Sequence, residues 1–195
     1  MKVTTYMGMS GTLKGHFFNK TEGVKLISPT KDCMKFDYEH LAWSSGFNPL
    51  AALLIRRYAI QALLNTGIQS DFVIERSVLD FLYMFEVNKF RKDIEHVEEL
   101  VFPRTLLEEE MNLFPEGTEF RNILFVNTVP QFVEHCLNCE PTRQITFKSV
   151  DDYFEKQEKY LQFIKKYMEP EIVYLDENVL KEEIGYAVTD MCNGI

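Results

Sequence analysis

The chain has 195 residues, 46% hydrophobic and 26% charged, which suits one domain with a sizeable core and argues against disorder. With 21 basic against 30 acidic residues the net charge is −9, so a basic surface for sequence-independent nucleic-acid binding is not expected. No run approaches the ~20 apolar residues of a membrane span. The N-terminal M-K-V-T-T-Y-M-G lacks an apolar stretch followed by a small-residue cleavage site. The expectation is a cytoplasmic protein with neither membrane nor nucleic-acid partners.

Val3–Met7 reads as a short apolar strand ending at a glycine turn, and Lys14–Lys20 as a helix. Val24–Ser28 is a second strand, stopped by Pro29, and residues 30–47 read as loop with a helical turn or two. Asn48-Pro49 is a helix start, a capping side chain followed by proline at the first helical position. The run Leu50–Leu64 continues to Gly67, a C-terminal stop. Asp71–Ile74 is a buried strand leading into Glu75-Arg76-Ser77, and helices follow over Val78–Asn88 and Lys89–Asn112. Ile123–Asn127 is a strand and Pro130–Leu137 a helix. Asp151–Met168 places Tyr153, Phe154, Tyr160, Leu161, Ile164 and Tyr167 at helical spacing. Ile172–Leu175 is the last strand, before a helix near Val179–Val188. Short strands alternating with helices require parallel pairing and crossovers, hence a three-layer α/β/α fold on about five strands. Ligands of such sheets bind at the carboxyl ends of the strands, where the Gly8 turn, Ser28-Pro29 and Glu75-Arg76 all fall.

The segment Thr4–Phe18, T-T-Y-M-G-M-S-G-T-L-K-G-H-F-F, points most directly to chemistry. A tight turn of small residues lets successive backbone N–H groups converge, and a lysine at the start of the next helix adds positive charge. The pattern is a phosphate cradle, with Gly8, Ser10, Gly11, Thr12, Lys14 and Gly15 as its candidate residues. Elsewhere the signals are weaker. His135-Cys136-x-x-Cys139 is half of a zinc pattern without a second pair, so both cysteines read as small residues at a helix end and no metal site is assigned. Cys33 and Cys192 are too scattered to add a disulfide framework. Asp151-Asp152 and Glu108–Glu110 read as solvated faces or helix starts.

The glycine loop, the strand-end Glu75-Arg76-Ser77 and the unit of strand, Pro130 and helix together resemble the P-loop deoxynucleoside and nucleoside monophosphate kinases, including thymidylate kinase. Gly8, Gly11, Lys14 and Gly15 stand where that family carries G-x-x-G-x-G-K-G-T. The resemblance implies one kinase-like domain over residues 1–195, with a small helical lid at about 138–150. It implies ATP and Mg²⁺ as cofactors, a nucleotide or nucleoside as substrate, and a role in deoxynucleotide metabolism; a homodimer is a further possibility. Lys14 would hold the β/γ-phosphates, Arg76 would bridge donor and acceptor oxygens, and Glu75 would lie near the reacting centre. Arg143 and Lys148 would close over ATP as lid cations. Arg56 or Arg57 would meet an acceptor phosphate, and Trp43 and Phe47 would stack on the base.

Two positions of the loop depart from the family pattern. Leu13 replaces the glycine before the lysine, and His16 replaces the hydroxyl residue that meets magnesium. The family's deoxynucleoside kinases carry Glu-Pro after the second strand, where this chain has Ser28-Pro29; Asp32 is the nearest substitute. A phosphate acceptor needs no such base, so the change favours a monophosphate acceptor or a chain that has lost catalysis. Three readings follow: an ATP-dependent phosphotransferase, a catalytically impaired kinase-like protein that binds a nucleotide or partner, and a P-loop hydrolase or unrelated α/β interaction protein.

Overall fold

The computed structural model describes residues 1–9, 11–26, 49–88, 103–139 and 147–185. In chain order the elements are β1 (Lys2–Met7), α1 (Lys14–Lys20), β2 (Val24–Leu26), α2 (Pro49–Asn65), β3 (Phe72–Glu75) and α3 (Val78–Asn88). They continue with α4 (Pro103–Met111), β4 (Glu119–Asn127), α5 (Pro130–Cys139), α6 (Val150–Tyr167), β5 (Glu171–Leu175) and α7 (Glu177–Ile184). The five strands form one sheet in the order β2-β3-β1-β4-β5. The pairings β1–β3, β2–β3 and β4–β5 are parallel, as the alternation of strands and helices requires. By compactness the chain divides into two units, Met1–Met7 with Gly15–Asn122 and Gly8–Lys14 with Ile123–Ile195.

In the first unit, β3 (F-V-I-E) is buried at every residue and β1 at all but its first. Strands covered on both faces lose the usual polar alternation, and here even Thr4 and Thr5 are inside. Val3 lies opposite Phe72 and Tyr6 opposite Glu75. Val3, Leu26, Ile60, Phe72, Ile74 and Phe114 form the core, each apolar side chain worth roughly 1.5–3 kcal/mol on burial. Phe114 packs edge-on against both Phe72 and Phe120, with centroids 5.4 and 5.6 Å apart. Helix α2 starts at Pro49 and is stopped by Gly67, whose φ of +80° suits only glycine and whose N–H reaches Leu64 O at 3.0 Å.

In the second unit, β4 is buried from Ile123 to Asn127 and runs beside β5 with Ile123 opposite Glu171. Helix α6 buries Tyr153, Gln157, Tyr160 and Ile164, one stripe at helical spacing. Its start is built by Ser149, which caps Asp152 N, while Asp152 Oδ2 accepts from Lys148 N at 2.8 Å and Lys156 Nζ at 2.9 Å. Asp152 is therefore the helix start that the sequence suggests. Helix α7 is capped by Asp176, 2.9 Å from Val179 N, and ends at Gly185 in the left-handed conformation.

The described elements fit the sequence reading, with differences at the edges. β4 begins at Glu119, four residues before the expected Ile123, because Glu119 N donates to Met1 O at 3.0 Å. Local pattern carries no trace of that remote partner. Of the expected helix Lys89–Asn112, the described part starts at Pro103, a proline at the first helical position. Ser28-Pro29, Asp32, residues 140–146 of the expected lid and the end of the expected Val179–Val188 helix lie outside the described residues.

The Asp152 carboxyl is held below the ordinary carboxylate range, first by the Lys148 backbone N–H and then by the Lys156 ammonium. A carboxylate with a depressed folded-state pKa adds stability above its unfolded pKa and loses it as pH falls through the folded value. Asp152→Asn is expected to lower the unfolding midpoint at pH 7. The gap to the native chain should narrow below about pH 4, as urea titrations across pH 2–7 would measure.

Candidate phosphate-binding site

The turn after β1 takes a path that side chains resist. Gly8 has φ +143°, Gly11 +81° and Leu13 +51°. A Cβ on Gly8 would stand 2.6 Å from Thr12 Oγ1 and 3.0 Å from Phe125 O, so only glycine fits between the loop and β4. Leu13, half-buried, adopts the left-handed conformation that a glycine would take at lower cost, of order 1 kcal/mol. Met9 O gathers the loop: it accepts from Thr12 Oγ1 at 2.8 Å and from Lys14 Nζ at 3.0 Å. Thr12 and Lys14 are both buried, at 1% and 6% exposure. An ammonium is thus held inside a bent loop, as anion binding requires. Gly15 differs from Gly8, since a Cβ there would meet nothing within 4 Å. Ser10 lies outside the described residues.

Position 16 supplies an imidazole set edge-on to the Phe17 ring, with centroids 5.5 Å apart, and no hydroxyl. Among the described residues no three His, Cys, Asp or Glu side chains cluster as a metal site would require. On α5, Cys139 Sγ lies 3.5 Å from His135 Nε2, two potential ligands where a tetrahedron needs four. Lys148 is exposed and lines a cavity of about 470 Å³ with Glu134, Phe147 and Asp151. Two carboxylates against one ammonium make that cavity a poor place for phosphate.

In the first unit, Glu75 ends β3 and is buried at 5% exposure. Arg76 follows with φ +73°, rare for a residue with a side chain, and its N–H donates to Tyr6 O at 2.8 Å. Ser77 is the start of α3. Its hydroxyl and its N–H both donate to Asp80 Oδ2, at 3.0 and 2.6 Å, while Asp80 N returns a bond to Ser77 Oγ at 3.3 Å. The serine and aspartate of E-R-S-V-L-D are therefore a capping box that fixes where Arg76 leaves the strand.

Of Arg56 and Arg57, either of which is expected to meet an acceptor phosphate, the structure removes Arg56. Its side chain has no exposed surface, and its fork closes on Glu110, Nε to Oε2 and Nη2 to Oε1, both at 2.6 Å. The remaining arm, Nη1, donates to Arg76 O. Such a group has no face left for a ligand; it holds the backbone of Arg76. Glu110 is likewise not on a solvated face, with only 17% of its side chain exposed. Arg57 is half exposed and paired with Glu109. Trp43, Phe47 and Arg143 lie outside the described residues. Sequence reasoning missed Glu110 and Asn127, which donates through Nδ2 to Gly11 O at 3.1 Å. Both are polar residues whose partners lie far away along the chain.

Glu110→Ala strands a buried guanidinium and is expected to cost about 3–5 kcal/mol, whereas Arg56→Met with Glu110→Leu should cost less than the single change. Urea unfolding of the two variants measures the difference. Gly8→Ala should lower the thermal midpoint by several degrees through the contacts with Thr12 and Phe125, while Gly15→Ala should leave it unchanged or slightly raised.

No family model matches the chain, and no curated protein matches it in sequence. Among solved structures, deoxyadenosine kinase from M. mycoides with bound dCTP superposes over 100% of both chains with a TM-score of 0.53 at 12% identity. A structure of the same enzyme with dCMP and a flexible dCDP also covers 100% of both chains, at TM-score 0.48 and 12% identity. At that identity the likeness is one of fold: a parallel five-stranded sheet with flanking helices, as in the kinase with dCTP.

Proposed function

We propose that this chain binds the phosphates of ATP in the Gly8–Lys14 loop and transfers a phosphoryl group to a deoxynucleoside or deoxynucleoside monophosphate. The observation that carries the reading is the buried Lys14 ammonium, 3.0 Å from Met9 O inside a loop bent through positive φ at Gly8, Gly11 and Leu13. Phosphoryl transfer asks for positioned positive charge and exclusion of water more than for covalent chemistry. In this reading Lys14 neutralises the donor phosphates as the bond to the leaving oxygen lengthens. Arg76 offers its bidentate fork to the transferred group, and Glu75 supplies the carboxylate. The likeness in fold to a kinase that binds dCTP supports the choice of nucleotides over other anions.

ATP fits the loop's charge and small residues. The usual magnesium hydroxyl is missing at His16, so an ion bound with ATP would rely on ATP oxygens and water, the mode that magnesium favours when protein ligands are few. With Arg56 buried, Arg57 is the α2 arginine with surface to offer an acceptor. That removes one argument for a monophosphate acceptor and leaves the absent Glu-Pro pair as the other.

His16 favours a second reading, in which nucleotide is held and no transfer follows. The two separate in one experiment: thermal shift with ATP and inorganic tripolyphosphate, with and without magnesium, followed by transfer assays across deoxynucleosides and their monophosphates. A kinase gives acceptor-dependent turnover that falls about 10²–10³-fold in Lys14→Ala. Stabilisation without turnover on any acceptor supports the binding reading, and no stabilisation by any nucleotide ends both.

A further inference from the structure

Asn127 ends β4 and is 2% exposed, and every polar atom around it belongs to the unit that contains the loop. Its main chain is fixed in both directions by one side chain: Asn127 N donates to Gln157 Oε1 at 2.8 Å, and Gln157 Nε2 donates to Asn127 O at 2.9 Å. Its side-chain amide spends both protons, one on Gly11 O at 3.1 Å and one on Tyr153 Oη at 2.7 Å. The Gly11 carbonyl also settles which end of the amide is nitrogen, since an oxygen there would face another oxygen. The amide oxygen, Oδ1, is buried with no partner among the described residues.

That asymmetry is informative. A buried acceptor without a partner is costly, so an amide at this position is explained by its donors. The donors run from the loop on one side to α6 on the other, where Gln157 and Tyr153 lie one turn apart on the buried stripe. Gly11 is also a point of positive φ, at +81°, where the loop could relax into a more extended form if its carbonyl were released. We infer that Asn127 is a positioning residue: it straps the Gly11 carbonyl to α6 and so keeps the loop amides turned toward an incoming phosphate. The inference rests on the loop being a phosphate site. It goes further by naming what holds that site in shape when empty.

The test reads the strap and the ligand separately. Hydrogen exchange on the unliganded protein compares protection of the Gly11–Lys14 amides with that of the β4 amides Leu124 and Phe125. In Asn127→Leu, which keeps the volume and deletes the donors, loop protection should fall about tenfold, the worth of one or two net hydrogen bonds. The β4 amides should stay within about twofold, since their bonds are not those the strap makes. Asn127→Asp repeats the comparison should the leucine variant fail to fold. Its ionised carboxylate repels Gly11 O at neutral pH, whereas the protonated form offers one O–H, so loop protection should partly return as pH falls toward 4. Unchanged loop protection, equal loss throughout β4, or no recovery in the aspartate variant would each overturn the strap. In a parallel calorimetric arm, inorganic tripolyphosphate should bind the native chain and bind Asn127→Leu about tenfold more weakly. A native chain that ignores tripolyphosphate removes the phosphate reading, while the exchange data still decide the strap.

Discussion

The bend between β1 and α1 is the constraint from which the rest follows. Within it one carbonyl, Met9 O, accepts from both the Thr12 hydroxyl and the Lys14 ammonium, and Gly11 O accepts from Asn127 Nδ2. A buried lysine must have an acceptor, since desolvating an unpaired ammonium costs several kcal/mol. A neutral carbonyl serves, and an anionic oxygen would add charge–charge attraction to the same hydrogen bond. On the proposed reading, the Lys14 ammonium at rest holds Met9 O in the place of a phosphate oxygen.

A second polar device governs the end of β3. Arg76 has a backbone conformation that costs of order 1–3 kcal/mol for a residue with a side chain. It persists because it is held at both ends: Tyr6 O takes its N–H, and Arg56 donates to its carbonyl. Arg56 can do so from a fully buried position only because Glu110 balances its charge with a bidentate contact. The sequence E-R-S-V-L-D then locks the exit through the Ser77–Asp80 box. Strain in Arg76, burial of Arg56 and placement of Glu110 are consequences of one requirement, that the strand turn sharply before α3.

Local patterns made the elements readable. β1 and β3 are continuous apolar or small-residue runs ending at glycine or at a charged pair, and α2, α3 and α5 begin at Pro49, Val78 and Pro130 in agreement with the expectation. The bend of the loop after β1 was readable too, because its glycines, Gly8 and Gly11, are local features of the sequence. Arg56, Glu110 and Asn127 were not. On the sequence, Arg56 is one of two adjacent arginines, and nothing local says which turns inward; its partner is 54 residues away. Glu110 sits in a run of three glutamates that composition marks as solvated. Asn127 closes an apolar strand, and its partners are 26, 30 and 116 positions distant. Helical and strand periodicity report which face is buried, and they carry no information about which polar group answers which across the fold.

The two departures in the loop belong to different kinds. Leu13 changes the energy of a conformation without changing its path, since the backbone takes φ +51° as a glycine would and the cost is borne by packing elsewhere. His16 is a change of another kind, because an imidazole offers a nitrogen and not the hydroxyl oxygen that a hard cation prefers. On the proposed reading, Leu13 bears on the energy of the loop and His16 on the atoms it could offer a cation. On that same reading, loss of a protein ligand to the metal would slow transfer more than it weakens phosphate binding, because binding also draws on Lys14 and the loop amides while the transition state carries the larger charge demand.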